Sequence, residues 1–180
     1  MINETYKAML RGKSVIRELS EYATARGAEI GYENVFDYSL GNPSVPCTQD
    51  YTDAVIRLHQ EENPMALHGY SPSLGNTKVR GIVFGMNYET KHIFMASGAA
   101  GALAHAIRCV TKPGDEIITF APLFPEYFPY VNTGGAVLKV VPADTKAFQI
   151  NFEEFEKLLN PNVAAILVNS PNNPSGTVYS

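Results

Sequence analysis

Apolar residues at helical spacing mark the beginning of the chain. The pattern predicts a helix from about Ser14 to Arg26, with an apolar face made of Val15, Ile16, Leu19, Tyr22 and Ala23. Ser14 suits the N-cap position and Gly27 suits the stop. Phe36–Leu40 follows as a short extended segment, and a second helix is predicted over residues 49–60.

From Lys91 onward, short apolar runs alternate with helical patterns. The runs predict strands over residues 91–96, 116–120, 136–141 and 163–168, and the segments between them predict helices over 99–110, 126–132 and 151–159. Asn151 with Glu154 three residues later is typical of a capping box. This alternation predicts an α/β fold, a mostly parallel sheet with helices on both faces.

In open α/β sheets, ligands bind beyond the carboxyl ends of the strands. Three segments follow predicted strands directly and are therefore candidates: residues 97–101, 121–126 and 169–176. Their position predicts where a ligand would bind and leaves its identity open.

Composition narrows the function classes. The 180 residues carry 14 basic and 18 acidic side chains, a net charge of −4, so no broad positive field favours nucleic acid. No apolar run has the length of a membrane helix, which predicts no membrane partner and a cytoplasmic protein. Two cysteines, Cys47 and Cys109, and four histidines without paired spacing give no metal-binding pattern.

Ser97-Gly98-Ala99-Ala100-Gly101 lies between a predicted strand and a predicted helix. Small residues let backbone N–H groups approach an anion, and the helix N-terminus favours negative charge, as in a phosphate site. The same residues also suit a tight turn that only permits close packing. Neither the Walker loop nor the dinucleotide-binding spacing is present.

The two later segments offer different chemistry. Phe124 and Tyr127 place aromatic rings after the second predicted strand, where a ring could stack on a planar cofactor or fill the core. In Asn169–Gly176, two prolines and a glycine restrict the backbone, so an asparagine amide can be held for hydrogen bonding. An ordinary turn rich in Asn and Pro is the alternative.

These segments, in this order, resemble the pyridoxal-phosphate (PLP)-dependent aminotransferases of class I/II, the aspartate aminotransferase superfamily of fold type I. Asn172-Asn173-Pro174-Ser175-Gly176 is similar to that family's N-P-[ST]-G motif. Weaker similarities are Leu40-Gly41-Asn42-Pro43, Gly69-Tyr70-Ser71-Pro72-Ser73-Leu74-Gly75, Ser97-Gly98-Ala99-Ala100 and Pro113-Gly114-Asp115-Glu116. The resemblance covers the N-terminal part of the family's sequence.

The resemblance implies a role for each matching residue. Gly98, Ala99 and Ala100 would bind the PLP phosphate, Phe124 would stack on the pyridine ring, and Asn173 would hydrogen-bond its 3′-oxygen. Gly41 would flank the substrate carboxylate. Tyr70 would reach the phosphate bound by a neighbouring subunit, which implies a homodimer.

The resemblance also implies a domain division and an activity. Residues 1–45 would belong to the small domain and residues 46–180 to the first, incomplete part of the large PLP-binding domain. The expected reaction transfers an amino group between an amino acid and a 2-oxo acid. A PLP-dependent carbon–sulfur lyase of the same fold, and a catalytically silent PLP- or phosphate-binding fragment, are the alternatives.

The family's cofactor-binding lysine lies downstream of the N-P-[ST]-G loop. None of the eight lysines of this chain has a serine three positions before it, and none is assigned that role. The segment from Arg80 to Gly85 has room for barely one helical turn, where the family usually has a longer helix.

Overall fold

The computed structural model describes residues 4–9, 14–41, 44–82, 89–144 and 146–180. The chain forms two compact units, Met1–Gly69 and Tyr70–Ser180. The domain boundary expected between residues 45 and 46 concerns the whole protein and stays a prediction. Asn42 and Pro43 of the motif at residues 40–43, and residues 83–85 of the segment after Arg80, lie outside the described residues.

The first unit is helical. Its helices are α1 (Glu4–Met9), α2 (Val15–Ile30), α3 (Gln49–Glu61) and α4 (Pro64–His68). Thr48 and Asn63 cap α3 and α4, because their side chains accept hydrogen bonds from the N–H groups of Tyr51 and Met65. Residues 36–40, expected to be extended, form no strand. Gly27 is the one buried residue described in this unit.

The prediction that α2 ends at Gly27 is wrong. The helix continues for three residues and stops at Gly31, whose φ of 91° is favourable for glycine. A Cβ on Gly27 would overlap the ring of Tyr32. Glycine is therefore needed at position 27 for the close approach of that ring. Ser14 occupies the N-cap position as expected, although its side chain makes no capping hydrogen bond.

The second unit is built on a parallel sheet. Its strands are β1 (Glu116–Phe120), β2 (Val137–Val141) and β3 (Val163–Ile166), in the order β2-β1-β3. β1 pairs with β2 without interruption, and its pairing with β3 shifts register between Glu116 and Ile117. The helices of this unit are α5 (Thr77–Ile82), α6 (Gly98–Val110), α7 (Tyr127–Asn132) and α8 (Phe152–Leu158).

Side chains of β1 point alternately into two apolar clusters. Ile117 packs with Ile107 of α6 and with Tyr127 and Val131 of α7, whereas Ile118 and Phe120 pack against Phe155 and Leu158 of α8. Both faces of the sheet are therefore covered by helices, and the predicted α/β class is confirmed. Asn151 caps α8 by accepting from the Glu154 N–H, also as predicted.

The strand predicted over residues 91–96 is not present. Thr90–His92 forms a single 3-10 turn, and the extended residues after it have no partner strand among the described residues. Apolar alternation favours an extended backbone, but a strand exists only where a neighbour accepts and donates its hydrogen bonds. Phe94 is accordingly 66% exposed.

Candidate functional site

The carboxyl ends of the strands bring two of the three candidate segments together. Beyond β1, the chain continues into residues 121–126, and beyond β3 it continues into residues 167–177. The Leu167 N–H donates to the Ile118 carbonyl (2.8 Å), and the Thr119 hydroxyl donates to the Leu167 carbonyl (2.9 Å). These bonds hold Leu167 beside the last residues of β1, just before the two segments leave the sheet.

The third segment begins α6. This helix ends at Val110 and is followed by a turn that leads directly into the start of β1, so the two elements run in opposite directions. With Ile107 packed on Ile117, the N-terminus of α6 lies toward the carboxyl end of the sheet. The first N–H groups of a helix have no partner within it, so this end is suited to bind an anion.

Gly98 has the backbone that glycine favours at this position. Its φ is +68°, and a Cβ placed on it would meet no atom within 4 Å. Ala99 and Ala100 are exposed, and the Ser97 side chain does not cap the helix. The geometry leaves the approach to these N–H groups open. Their assignment to a phosphate remains a prediction.

Phe124 is half-buried beside the core. Its ring meets that of Tyr127 edge to face, with 5.7 Å between the centroids and 83° between the planes. The Tyr127 N–H donates to the Phe124 carbonyl (3.1 Å), which closes the turn into α7. Burial raises the pKa of Tyr127, and the nearby phenols of Tyr179 and Tyr130 raise it further. Tyr127 therefore supports Phe124 as a neutral side chain.

The two neighbouring asparagines differ in their surroundings. The Asn172 amide is buried and donates to the Pro122 carbonyl (2.8 Å) and to the Ser175 hydroxyl (2.9 Å). Asn173 is exposed, and its backbone N–H donates to Asn169 Oδ1 (2.8 Å). Its side chain makes no hydrogen bond within the described part of the chain, and is available to a ligand.

Tyr70 and Gly41 are both exposed. Tyr70 begins the second compact unit and is fully exposed. Gly41 belongs to the first unit, and a Cβ placed there would meet nothing within 4 Å. Their expected roles, toward a neighbouring subunit and toward substrate, stay predictions.

Arg80 is a buried residue that the sequence analysis did not select. It is 8% exposed, and its guanidinium donates to the carbonyls of Thr90 (2.9 Å) and Ile93 (3.4 Å). These bonds fasten α5 to the segment that leads into α6. No local pattern signals these two contacts, because both carbonyls lie ten or more residues away, although the guanidinium also donates to the Thr77 hydroxyl within α5 (3.5 Å). Asn172 was also missed, although the tandem asparagine offered a signal.

Neither a metal site nor a membrane span is apparent in the described ranges. Within them, no three side chains of His, Cys, Asp or Glu are grouped to hold a metal ion. None of the described helices combines the length and apolarity required to cross a bilayer.

Comparison with known proteins identifies the family of this chain. The model of the family "Aminotransferase class I and II" matches residues 33–180. An aspartate aminotransferase of Thermotoga maritima is 31% identical over 153 residues, which cover 82% of this chain and 40% of that protein. A probable N-acetyl-LL-diaminopimelate aminotransferase of Bacillus subtilis is 28% identical over 157 residues, covering 83% of this chain and 39% of that protein.

Solved structures agree with the sequence comparisons. The crystal structure of an aminotransferase from Eubacterium rectale superposes with a TM-score of 0.92 at 41% identity, covering all of this chain and 47% of that one. The chain thus spans less than half the length of these relatives. Its α/β fold is that of the fold type I aminotransferases, represented in part, and the chain belongs to the class I and II aminotransferase family.

Proposed function

We propose that the protein containing this chain is a PLP-dependent aminotransferase that acts on an amino acid and a 2-oxo acid. The observation that carries the proposal is the arrangement at the sheet end. A half-buried aromatic ring and an available amide lie on two segments that are hydrogen-bonded to each other, and the open N-terminus of α6 faces the same end. Family membership supports the same activity.

The donor set fits an anionic, planar cofactor. Gly98 leaves space where a Cβ would stand, so the N–H groups of Ala99 and Ala100 would bind the phosphate. Phe124 would lie against the pyridine ring, and the Asn173 amide would hydrogen-bond the 3′-oxygen without adding charge. Bound PLP supplies an electron sink for negative charge on the substrate, and these residues hold it in place.

The quaternary and substrate assignments extend this proposal. A fully exposed Tyr70 is free to contact a second subunit, which supports a homodimer with the tyrosine directed toward the neighbour's phosphate. Gly41 would flank the substrate carboxylate. The proposed location is the cytoplasm, which cell fractionation would check.

Titration of the full-length apoprotein with PLP, followed by absorbance, tests the cofactor assignment. We expect saturable binding, and we expect Asn173→Ala to weaken it about tenfold, because one hydrogen bond in a partly enclosed site contributes about 1–3 kcal/mol. Asn132→Ala is the matched control, since Asn132 is exposed and has no side-chain hydrogen bond within the described residues. Equal affinity in wild type and Asn173→Ala would remove Asn173 from the site.

Product analysis tests the reaction. With an amino donor and a 2-oxo acid, we expect a new amino acid and a new 2-oxo acid in equal amounts. Release of a thiol from a sulfur-containing amino acid, without amino transfer, would instead indicate the carbon–sulfur lyase. Saturable PLP binding with neither reaction would contradict the proposed activity and leave the cofactor assignment standing.

A further inference from the structure

We propose that Asn172 is a positioning residue for PLP binding, and this inference rests on the proposed function. Its side chain fixes the loop that carries Phe124 relative to the loop that carries Asn173. Asn172 itself would not touch the cofactor. Its burial and its four hydrogen bonds support this role.

Both amide hydrogens of Asn172 are used. One is donated to the Pro122 carbonyl, fifty residues away in sequence, and the other to the Ser175 hydroxyl within the same loop. Asn172 is 6% exposed as a residue, so water cannot readily replace either acceptor. A buried amide with both donors occupied restricts the side chain to one orientation.

The backbone of Asn172 closes its own loop. Its N–H donates to the Thr177 carbonyl (2.8 Å), and its carbonyl accepts from the Gly176 N–H (2.7 Å). The Ser175 hydroxyl also accepts from the Thr177 N–H (3.2 Å). The loop of residues 172–177 is therefore internally bonded, and it would keep its own shape if the link to Pro122 were lost.

The Pro122 bond is what joins that loop to its neighbour. Across the described residues, it is the one hydrogen bond between residues 121–126 and 169–177. Phe124 lies two residues after Pro122, and Asn173 lies one residue after Asn172. Losing this bond would free the ring and the amide to shift relative to each other, although neither side chain has been altered.

Asn172→Asp would keep nearly the same side-chain shape and would replace a hydrogen-bond donor by an acceptor. Its carboxylate would face the Pro122 carbonyl and could not donate to it. Ser175→Ala is the matched comparison, because it removes the acceptor of one Asn172 amide hydrogen and of the Thr177 N–H and leaves the Pro122 bond. Asn172→Ser is a second variant, to be used if Asn172→Asp does not fold. The serine hydroxyl is too short to reach the Pro122 carbonyl.

The first measurement is hydrogen exchange on the full-length apoprotein. In Asn172→Asp we expect faster exchange of the Tyr127 and Phe128 N–H groups, whose acceptors are the carbonyls of Phe124 and Pro125. The Leu167 N–H, bonded within the sheet, should exchange as in wild type. Unchanged exchange at Tyr127 and Phe128 would overturn the inference, whether or not the protein binds PLP.

The second measurement is PLP affinity and the absorbance maximum of bound PLP. We expect Asn172→Asp and Asn172→Ser to weaken binding about tenfold and to shift the maximum, and Ser175→Ala to change affinity less than about threefold. A purely structural role would lower the unfolding temperature and leave affinity and absorbance unchanged, which would overturn the inference. Failure of wild type to bind PLP would overturn the proposed function instead.

A double-mutant cycle separates positioning from an independent effect. If Asn172 acts by placing Phe124, the losses of affinity in Asn172→Asp and Phe124→Ala should not add, because the second change removes the group that the first misplaces. Additive losses would show that Asn172 acts without Phe124, and would overturn the positioning role.

Discussion

Phe124 and Asn173 stand on loops that leave two paired strands of the sheet, β1 and β3, whereas Tyr70 and Gly98 stand on exposed segments outside the sheet. We call residues 121–127 and 169–177 the ring side, and residues 70–75 and 93–100 the phosphate side, after their proposed roles. The ring side rests on two apolar clusters and is linked through the buried Asn172 amide. The two segments of the phosphate side are joined to each other by one long backbone hydrogen bond, from the Met95 N–H to the Leu74 carbonyl at 3.5 Å.

The difference shows which part of the candidate site the fold forms by itself. The ring side is defined by side chains and carbonyls already in this chain. The phosphate side presents unbonded helix N–H groups and an exposed tyrosine, whose binding partners would be a phosphate and a second subunit. A bound anion would therefore order the phosphate side more than the ring side.

The largest expected effect comes from removing an aromatic ring beneath the ring side. Phe120 is 6% exposed and packs its ring against Phe155 and Tyr179, so Phe120→Ala should lower the free energy of unfolding by about 3–5 kcal/mol. Phe94→Ala, on the phosphate side, is the matched change and should cost less than about 1 kcal/mol. Urea unfolding of the full-length protein gives both values, and equal losses would remove the contrast between the two sides.

Arg80 holds the segment that precedes α6 through hydrogen bonds to the carbonyls of Thr90 and Ile93. Its loss should cause the next largest decrease in the free energy of unfolding. Arg80→Ala leaves two carbonyls without their charged donor and should cost about 2 kcal/mol. Hydrogen exchange should also accelerate at Ile93, whose N–H donates to Thr90. Arg108→Ala, at an exposed position of α6, is the control and should change stability by less than about 0.5 kcal/mol. A similarly small effect at Arg80 would contradict its anchoring role.

Two glycines at the start of α6 offer a smaller, opposite pair of effects. Gly98→Ala should destabilise the protein by about 1 kcal/mol, because its positive φ disfavours any side chain even in open space. Gly101→Ala should stabilise it by about 0.5–1 kcal/mol, because its Cβ would make ordinary contact with Ser97 inside a helix. Thermal unfolding distinguishes the two signs, and a gain at position 98 would show that φ is not constrained there.

The smallest effect concerns alkaline stability on the ring side. Burial raises the pKa of Tyr127 above its usual value of 10.0, so the folded protein keeps this proton more tightly than the unfolded chain. The resulting stabilisation is present below about pH 10 and is lost as pH rises through the folded pKa. Tyr127→Phe should therefore flatten the fall in unfolding free energy above pH 10, while Tyr38→Phe, at an exposed position, should not. An unchanged slope in Tyr127→Phe would contradict the burial effect.

Much of the fold could be predicted because its signals are local. β1 has the predicted bounds, and α3, α6 and α7 begin within one residue of prediction, since period and caps act over a few residues. The errors arose where the outcome depends on a contact between side chain and backbone or on a partner strand. Gly27 is used by the Tyr32 ring rather than by a helix end, and residues 91–96 lack a neighbouring strand.

The candidate site could likewise be predicted from the sequence only in part. Segments 97–101, 121–126 and 169–176 were predicted to lie beyond the carboxyl ends of parallel strands. The structure confirms this for the two later segments, whereas, within the described part of the chain, no strand precedes residues 97–101. Which asparagine of the pair is buried could not be read from the sequence, because it depends on the reach to Pro122. The role of Arg80 could not be predicted for the same reason. Every residue has a backbone carbonyl, so the sequence does not indicate which ones accept from its guanidinium.

The strand order also sets when the ring side can form. β1 is central in the sheet but first in sequence, so on the ribosome it emerges before either neighbour, and Phe124 follows it immediately. Its link to Asn172 must wait for fifty more residues. Closing so long a loop is slow compared with forming a helix, so α6 can fold early while the aromatic ring and the amide are brought together late. Nascent chains shorter than this would present the N-terminus of α6 without the Asn172 loop beside Pro122.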